Sequence, residues 1–309
     1  MESTRRRVAA GLSVALSVVL TGALTVSSEG SQQRASGTVL SDAPPVESAA
    51  VVPEPPDWGV FQVRCHWSHS ASADPIVAPG VPGGAHRHEF FGNVSTNAHT
   101  TTRRLTRRGT TCTRPGDKSA YWAPTLYRGG KRVQPNHTIV YYRSGFLRDA
   151  SVIRPAPRGL RMIAGNGDAR GPQSRKIAQW SCEGDGPKGS KEVPASSPGV
   201  PLRLRILFPN CWNGKTLDSA NHKRHMAYSH RHGNVCPASH PVTLPTLQLG
   251  FRYDIQGPLN RITLSSGDHY TGHADFWNAW DPAVLRRLVQ TCVLGGRTCD
   301  SPPLPPPGR

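Results

Sequence analysis

The sequence predicts a mainly β fold, an antiparallel sandwich or distorted barrel with long loops. The chain has 309 residues, and its 31 glycines and 29 prolines separate many short apolar runs. Several of these runs alternate apolar and polar residues, which is the pattern of a half-buried strand. Helical periodicity is confined to two short segments. Together these features favour an antiparallel sheet over alternating strand–helix–strand units.

The predicted strands are short and separated by turns. Their ranges are Trp58–His66, Ser119–Tyr127, Thr138–Arg143, Gly159–Asn166, Leu202–Phe208, Leu244–Tyr253 and Arg261–Leu264. The run Leu202–Phe208 (LRLRILF) has the cleanest alternation. The Gly129–Gly130 pair lies between the second and third apolar runs, and a glycine turn in that position predicts a hairpin of those two strands.

Two segments have helical patterns. The range Pro282–Cys292 follows Asp281, a good N-cap, and begins with proline, which is favoured at the first helical position. Leu285 and Leu288 then fall on one face. The second segment is a short helical turn near 218–225. The basic stretch 100–113 has no regular pattern and is predicted to be irregular.

The ends of the chain have compositions unlike the middle. Arg5–Arg7 precede an apolar run, Val8–Val26, which is typical of a cleaved secretory signal peptide; the alternative is a retained N-terminal anchor. The following Ser/Ala/Pro-rich stretch cannot bury enough apolar surface to fold. The predicted layout is therefore a signal peptide at 1–30, a disordered linker at 31–57, one β-rich domain at 58–300 and a Pro-rich tail at 301–309, in a secreted, extracellular protein.

The chain is strongly basic, with a formal net charge of +17. Such a charge favours contact with anionic polymers, so the predicted partner is an extracellular polysaccharide or an anionic cell-wall polymer. The alternative is a solvated basic face without a partner. No module for sequence-specific nucleic-acid binding is legible, and no second segment is apolar enough to span a membrane.

Seven cysteines are present and none forms a Cys-x-x-Cys pair, which disfavours a zinc ribbon. In an exported chain they are expected to form disulfides. The short Cys292–Cys299 loop is the first candidate pair, followed by Cys211–Cys236 and Cys65–Cys112. One cysteine is left over, and the spacing does not choose it.

The most informative stretch is PGVPGGAHRHEFFGN, residues 79–93. A Gly/Pro turn precedes two histidines at i and i+2. In an extended backbone these side chains point to the same face, so His86 and His88 are expected to project together. Two imidazoles on one face indicate a metal or acid/base site when further ligands join them.

Two later clusters supply such partners. Asp218, His222 and His225 share one face if their segment is helical, and His273 and Asp275 share one face of an extended segment. An imidazole-rich set with carboxylates suits zinc, manganese or copper better than calcium. The predicted metal ligands are His86, His88, His222, His225 and His273. The predicted catalytic residues are His86, His88, Asp218, His222, His273 and Asp275.

The sequence also bears on other kinds of catalytic or binding site. The sequence has neither a His-Glu-x-x-His metalloprotease motif nor a Gly-x-Ser-x-Gly nucleophile elbow. A metal-free general acid/base pair of His and Asp stays open. A glycosidase needs two carboxylates across a cleft; the candidates are Glu89, Asp218, Asp268 and Asp275, and nothing in the sequence pairs them. Sugar stacking is a further alternative, on Trp122, Trp212, Trp277 and Trp280.

Eight phrases identify a family resemblance. In order they are FQVRCHWSH, DPIVAPG, HRHEFFGN, SAYWAPTLY, GLRMIAGN, FPNCWNGKTLDSANHKRHMAY, CPASHPVTLP and SGDHYTGHADFWNAWD. Over about Val60–Cys292 the chain resembles secreted fungal and actinobacterial proteins catalogued as domain of unknown function nineteen-ninety-six. The resemblance implies a polysaccharide or cell-wall context and brings no activity. Similar chains carry a Cys-Pro where this one has VPASSPGVP, which implies that Cys182 is the cysteine left over.

The predicted function is a metal-dependent hydrolase, with a His/Asp-lined cleft, that acts on extracellular polysaccharide or cell-wall polymer. Two alternatives stay open. One is a non-catalytic polysaccharide- or wall-binding protein, and the other is an anionic-polymer binder in which the histidines are structural.

Overall fold

The computed structural model describes residues 59–145, 147–182, 189–197 and 199–303. The predicted signal peptide at 1–30, the linker at 31–57 and residues 304–309 of the predicted tail lie outside these ranges. Among the described residues, no helix is long and apolar enough to cross a membrane.

Ten strands form the main sheet. They are β1 (Val60–Ala71), β2 (His88–Gly92), β3 (Ala120–Pro124), β6 (His137–Arg143), β7 (Arg161–Gly165), β8 (Ala178–Cys182), β10 (Leu202–Leu207), β14 (Thr246–Tyr253), β18 (His273–Trp277) and β19 (Thr298–Cys299). Their order is β7-β18-β3-β2-β1-β6-β14-β10-β8, and β19 pairs in parallel with the start of β1. The neighbours along that order are antiparallel.

The sheet curls until it nearly closes into a barrel. Its two ends approach each other. The close contact is between Gly272, just before β18, and Leu204 on β10, since a Cβ placed on Gly272 would lie 3.3 Å from Leu204 Cδ1. The prediction of a mainly β, antiparallel fold is confirmed, and of its two alternatives, a sandwich and a distorted barrel, the structure has the barrel.

The other elements are short. The strands are β4 (Leu126–Arg128), β5 (Lys131–Val133), β9 (Ser196–Ser197), β11 (Cys211–Trp212), β12 (Met226–Ala227), β13 (Val242–Thr243), β15 (Gly257–Pro258), β16 (Ile262–Leu264) and β17 (Gly267–Asp268). The helices are α1 (Thr102–Arg107), α2 (Pro282–Leu288), single 3-10 turns at Ser229–Arg231 and His269–Thr271, and a π turn, Val289–Val293, that continues α2.

The C-terminal helix forms as predicted. Asp281 caps it by accepting hydrogen bonds from the backbone N–H groups of Ala283 and Val284, and Pro282 occupies its first turn. The expectation that 100–113 is irregular is wrong over α1. That helix was missed because Leu105 is its only buried residue, which leaves too little apolar periodicity to read.

The predicted hairpin is wrong in its pairing. A tight turn does occur at Gly129–Gly130, where both glycines have positive φ, but it joins β4 to β5. The apolar run Thr138–Arg143 instead becomes β6, which lies between β1 and β14. The cross-strand partners of a buried strand are set by packing, and sequence proximity did not reveal them.

The two faces of the sheet bury different clusters. In the β2-β3-β18 part, Phe91, Tyr121 and Phe276 are in register and belong to the main core inside the barrel. The alternate positions point outward, and there Phe90 and Trp122 pack with Ile76 and Leu105 in a smaller outer core. The outer core holds residues 72–87 and α1 against this part of the sheet, and it underlies the candidate site.

Three disulfides are present, Cys65–Cys112, Cys211–Cys236 and Cys292–Cys299, and the three predicted pairs are confirmed. Cys182 stands outside these disulfides, as the family resemblance implied, and is buried on β8. A fold with three disulfides is typical of oxidising compartments.

Asp117 is a fully buried carboxyl inside the barrel core. Its Oδ2 accepts a hydrogen bond of 2.7 Å from the Tyr121 hydroxyl, which in turn lies 2.8 Å from the Tyr142 hydroxyl. Cys65 and Cys112 lie close by, but their thiols are joined in a disulfide and do not offer metal ligands. Burial raises the pKa of Asp117 to about 7, from 3.8 in an unperturbed carboxyl.

We expect this buried carboxyl to make the protein less stable as pH rises. The folded state keeps the Asp117 proton up to about pH 7, whereas the unfolded chain loses it near 3.8, so stability falls across that window. A shift of about three pKa units corresponds to ~4 kcal/mol. Urea unfolding of wild type and Asp117→Asn between pH 4 and pH 8 should show wild type losing about 3–4 kcal/mol relative to the variant. Parallel curves would contradict this, and exposed Asp254→Asn is the control.

Candidate metal centre

Two neighbouring strand starts bring the histidines together. β2 and β18 both pair antiparallel with β3, so they run in the same direction and begin at the same end of the sheet. His88 is the first residue of β2 and His273 the first residue of β18. Gly165 pairs with His273, and a Cβ there would lie only 2.5 Å from the Gly272 carbonyl oxygen. A glycine with φ 84° therefore allows β7 to approach His273.

His86, His88 and His273 form a compact cluster. One ring nitrogen from each lies within 4.8 Å of the other two. The ring centroids are 4.3 Å apart for His86–His88, 5.1 Å for His86–His273 and 5.8 Å for His88–His273. His88 and His273 are buried, and His86 is partly exposed. The cluster therefore has a buried side and a side that faces solvent.

Backbone carbonyls fix the tautomers of the two buried rings. His88 Nδ1 donates to the Ala73 carbonyl oxygen at 3.0 Å, and His273 Nδ1 donates to the Thr271 carbonyl oxygen at 2.8 Å. A carbonyl only accepts, so Nδ1 carries the proton and Nε2 keeps its lone pair. The Nε2 atoms of His86 and His88 are buried with no hydrogen-bond partner among the described residues. This is the arrangement of metal-ligating histidines, whose second nitrogen is held by an acceptor.

Two buried carboxylates adjoin the histidines. Asp74, His88 and Asp275 each offer one ligand atom, and these atoms lie within 4.8 Å of one another. Asp74 Oδ1 accepts hydrogen bonds from the N–H groups of Ile76 and Val77, and Trp122 Nε1 donates weakly to Oδ2 at 3.4 Å. Asp275 is 1% exposed, and neither of its oxygens has a partner among the described residues.

The protonation states match this geometry. Burial and the imidazoles of His273 and His86 hold the pKa of His88 well below its usual value, and burial lowers the pKa of His273 to about 4. Burial, aided by the Asp74 carboxylate, raises the pKa of Asp275 well above its ordinary range. The histidines are therefore neutral near pH 7, as metal ligation requires. A buried carboxylate with no partner costs several kcal/mol, which a divalent cation would offset.

A turn at residues 166–169 borders the solvent side of the cluster. A Cβ on Gly167 would lie 3.2 Å from His273 Cε1, so the turn packs directly on that ring. The next residue, Asp168, is exposed, and its charge raises the pKa of both His86 and His273. Lys223 Nζ donates to the Gly165 carbonyl oxygen at 3.0 Å. A carboxylate, Asp168, and an ammonium group, Lys223, thus stand at the rim of the cluster.

The structure brings together three of the five predicted histidine ligands. Among the described residues, His222 and His225 do not join a group with His86, His88 and His273. His222 Nδ1 lies 3.0 Å from Asp218, which forms an ion pair of 2.9 Å with Arg161. Both nitrogens of His225 are engaged, Nδ1 with the Ser219 hydroxyl and Nε2 with the Arg161 carbonyl oxygen.

The backbone explains why this second cluster stays separate. Residues 218–225 form consecutive turns instead of a regular helix, and His222 has a positive φ of 56°. The shared helical face of Asp218, His222 and His225 therefore does not exist. Their contacts hold this loop to Arg161 on β7.

The glycosidase candidates are mostly committed to other contacts. Glu89 is fully buried and accepts two hydrogen bonds from the Arg132 guanidinium, at 2.8 and 2.7 Å. Asp268 caps the 3-10 turn at His269–Thr271 and contacts His269. Neither faces the histidine cluster. The adjacent buried carboxylates are Asp74 and Asp275.

Asp74 is the ligand candidate that sequence reasoning missed. The sequence cue to Asp74 is its position before Pro75, at the start of the long connection from β1 to His86 and His88. The outer core brings this connection back over the sheet, and Ile76 packs with Phe90 and Trp122. That contact places Asp74 beside Asp275 and was not readable from spacing.

The donor set defines what the cluster can hold. Imidazole nitrogens with carboxylate oxygens suit zinc, manganese, copper or iron better than calcium, which prefers oxygen ligands alone. Zinc–nitrogen bonds are about 2.0–2.1 Å, so an ion would draw together the three ligand atoms of either group, His86, His88 and His273 or Asp74, His88 and Asp275, which lie within 4.8 Å of one another. His86 is partly exposed, so solvent reaches the cluster from its side.

Comparison with known proteins gives a family and no activity. The family model described as "Domain of unknown function (DUF1996)" matches residues 74–280. The match begins at Asp74 and includes every histidine and carboxylate of the cluster. No curated protein and no solved structure shows significant similarity to the chain.

Proposed function

The chain belongs to the DUF1996 family, whose description assigns no activity. We propose that this protein is a metal-dependent hydrolase of extracellular polysaccharide or cell-wall polymer. The observation that carries the proposal is the set of unpartnered ligand atoms. Nε2 of His86, Nε2 of His88 and both oxygens of Asp275 are buried without hydrogen bonds among the described residues. Such groups are rare in folded proteins unless water or an ion satisfies them.

Each residue has a distinct part in this proposal. His88, His273 and Asp275 would form the buried half of the coordination sphere, and the Ala73 and Thr271 carbonyls hold the two rings in orientation. His86 and Asp74, both on the connection after β1, would complete the sphere. A divalent ion held there would supply Lewis acidity and a water of lowered pKa, which is the chemistry of metal-assisted hydrolysis.

Asp168 is the proposed proton carrier. It is exposed at the rim, on the turn that packs on His273, and it is close enough to raise the pKa of two ligands. A carboxylate in this place can accept a proton from an attacking water and donate it to the leaving oxygen. The substrate class is proposed from the three disulfides, which indicate an oxidising compartment, and from the basic charge of the chain.

A non-catalytic, stacking mode of sugar binding has less support. Trp122, Trp277 and Trp280 are at most 2% exposed and belong to the two cores. Only Trp212 of the four candidates is partly exposed. Buried rings do not offer a platform to a sugar.

The test is product release from insoluble glycans and cell-wall preparations by the full chain, purified without a His-tag. We expect reducing ends to appear with added Zn²⁺ or Mn²⁺ and to disappear with chelator. Asp168→Asn should keep the metal and lose about a hundredfold in rate, the usual size of a general acid/base contribution. The control, Asp254→Asn, should keep the wild-type rate. Metal retention without turnover on any tested polymer would overturn the hydrolase assignment.

A further inference from the structure

The barrel carries a second chemical feature on strands that hold no candidate metal ligand. Outward positions of β1, β6, β14 and β10 carry five arginines, which we call the arginine face: Arg64, Arg143, Arg203, Arg205 and Arg252. Each alternates with residues of the main core, for example Arg203 and Arg205 with Leu202, Leu204 and Ile206. The side-chain period of two in a strand therefore puts all of them on the outer face of the sheet. Arg205 is buried there and donates to Gln179, whereas the other four are partly exposed.

The register places two of these charges, Arg203 and Arg252, directly opposite each other. Arg203 pairs with Arg252 on the next strand, and Arg252 pairs with His137 on the strand after that. Arg64 and Arg205 occupy the adjacent row across β1, β6, β14 and β10. Neighbouring strands are about 4.8 Å apart, and like charges directly opposite one another destabilise a sheet.

His137 lies among these charges, with its Nε2 3.2 Å from Arg252 Nη1. Burial and the charges of Arg252, Arg64 and His66 lower the pKa of His137 to about 4, against the opposing effect of Asp254. Asp254 follows the end of β14, and Asp300 contacts Gln62 at the β1 margin. Among the described residues, the outward positions of these four strands carry no carboxylate. The face is therefore a concentrated positive surface with acidic groups only at its margins.

A cavity opens at one end of the face. It has a volume of about 360 Å³, and its lining includes Arg143, Gln179, Arg205 and Gln248 from the sheet together with Arg175, Lys176 and Asn234. No carboxylate lines it among the described residues. Four cationic side chains and three amides around one cavity form a receptor for an anionic group, because guanidinium groups match carboxylate, sulfate and phosphate oxygens in pairs.

We propose that the arginine face and this cavity bind an acidic polysaccharide, with one anionic group of the polysaccharide seated in the cavity. The shape and charge favour a glycan over single-stranded nucleic acid. Tyr141 is the one Phe, Tyr or Trp at the outward positions of these four strands, and its ring is covered by the Arg143 guanidinium at 4.5 Å. Binding of single strands depends on successive aromatic platforms, which this surface lacks. The proposal does not rest on the metal centre.

The test measures binding of fluorescently labelled polygalacturonate and dextran sulfate to the full chain across a salt series, with chelator present. The triple variant Arg64→Gln, Arg143→Gln and Arg203→Gln should weaken binding about tenfold or more and flatten its salt dependence. The matched control, Arg103→Gln, Arg107→Gln and Arg286→Gln, removes the same charge from exposed positions outside the face. It should change the dissociation constant less than twofold.

Additional variants and a folding control separate loss of binding from loss of structure. The corresponding triple Arg→Lys variant keeps the charge and should recover part of the affinity, and circular dichroism checks that each variant is folded. If the glutamine triple does not fold, its three single variants are measured, and each should weaken binding while the single controls do not. Equal weakening by face and control variants would overturn the proposal. Tighter, face-dependent binding of single-stranded DNA than of either glycan would overturn the choice of partner. The preference between the two glycans identifies carboxylate or sulfate as the bound group.

Discussion

Replacing Asp275 by asparagine is expected to stabilise the metal-free protein and to reduce the stability that it gains from bound metal. Without metal, the Asp275 carboxyl of wild type is buried with no hydrogen-bond partner among the described residues, and its raised pKa means that folding at pH 8 either takes up a proton or buries a charge, both of which cost stability. An amide there is still unsatisfied, but it costs about 1–3 kcal/mol against several for an unpaired charge. We therefore expect Asp275→Asn to be more stable than wild type by at least about 1 kcal/mol in chelator at pH 8.

Bound metal should stabilise wild type more than Asp275→Asn, because the neutral amide of asparagine is a weak ligand. At a metal concentration of about 100 times the dissociation constant, wild type gains ~2.7 kcal/mol, whereas a variant with hundredfold weaker affinity gains only ~0.4 kcal/mol. Metal should therefore shift the stability difference by ~2.3 kcal/mol in favour of wild type. Thermal unfolding with chelator and with Zn²⁺ or Mn²⁺ measures both states. Exposed Asp254→Asn serves as the control, and an equal gain from metal in wild type and Asp275→Asn would contradict Asp275 as a ligand.

The second large effect is expected at His88. This side chain is fully buried and belongs to both ligand groups, so His88→Ala removes the residue that the two groups share. Loss of an outer-shell partner of a metal ligand typically costs 10–100-fold in affinity, and loss of the ligand itself should cost at least about a hundredfold. Isothermal titration with the metal measures this directly.

A matched histidine separates this effect from general metal binding. His99 is exposed, lies outside the cluster and should retain wild-type affinity as His99→Ala. His225→Ala is a second comparison, since both nitrogens of His225 are bonded within the protein. We expect that variant to lower stability without changing metal affinity. Equal affinity losses in His88→Ala and His99→Ala would contradict the assignment.

The sequence was informative where local chemistry decides the structure. Alternation predicted β10 and β14 within two residues, and Asp281 with Pro282 predicted the start of α2. The i, i+2 spacing of His86 and His88 correctly placed the two rings together, because the register of one short segment settles it. Cysteine loop lengths likewise suggested the three disulfides.

Long-range placement could not be predicted in the same way. Whether His273 or His222 meets His86 depends on which strands flank β3, and nothing local specifies that order. The segment 218–225 satisfies its own polar groups through Arg161 and Ser219, so the helical face assumed for it does not form. Asp74 reaches the site through the outer core that Ile76 shares with Phe90 and Trp122. These outcomes are decided by tertiary packing, which overrides local patterns.

The central claim is that His86, His88 and His273, with Asp275 and Asp74, hold one divalent transition-metal ion. Metal analysis of the full chain, purified without a His-tag and dialysed against metal-free buffer, tests it most directly. Wild type should retain about one zinc, manganese, copper or iron ion per chain, and the His86→Ala/His88→Ala variant should retain none. Metal-free wild type whose thermal stability is unchanged by chelator and by added Zn²⁺, Mn²⁺, Cu²⁺ and Fe²⁺ would contradict the claim.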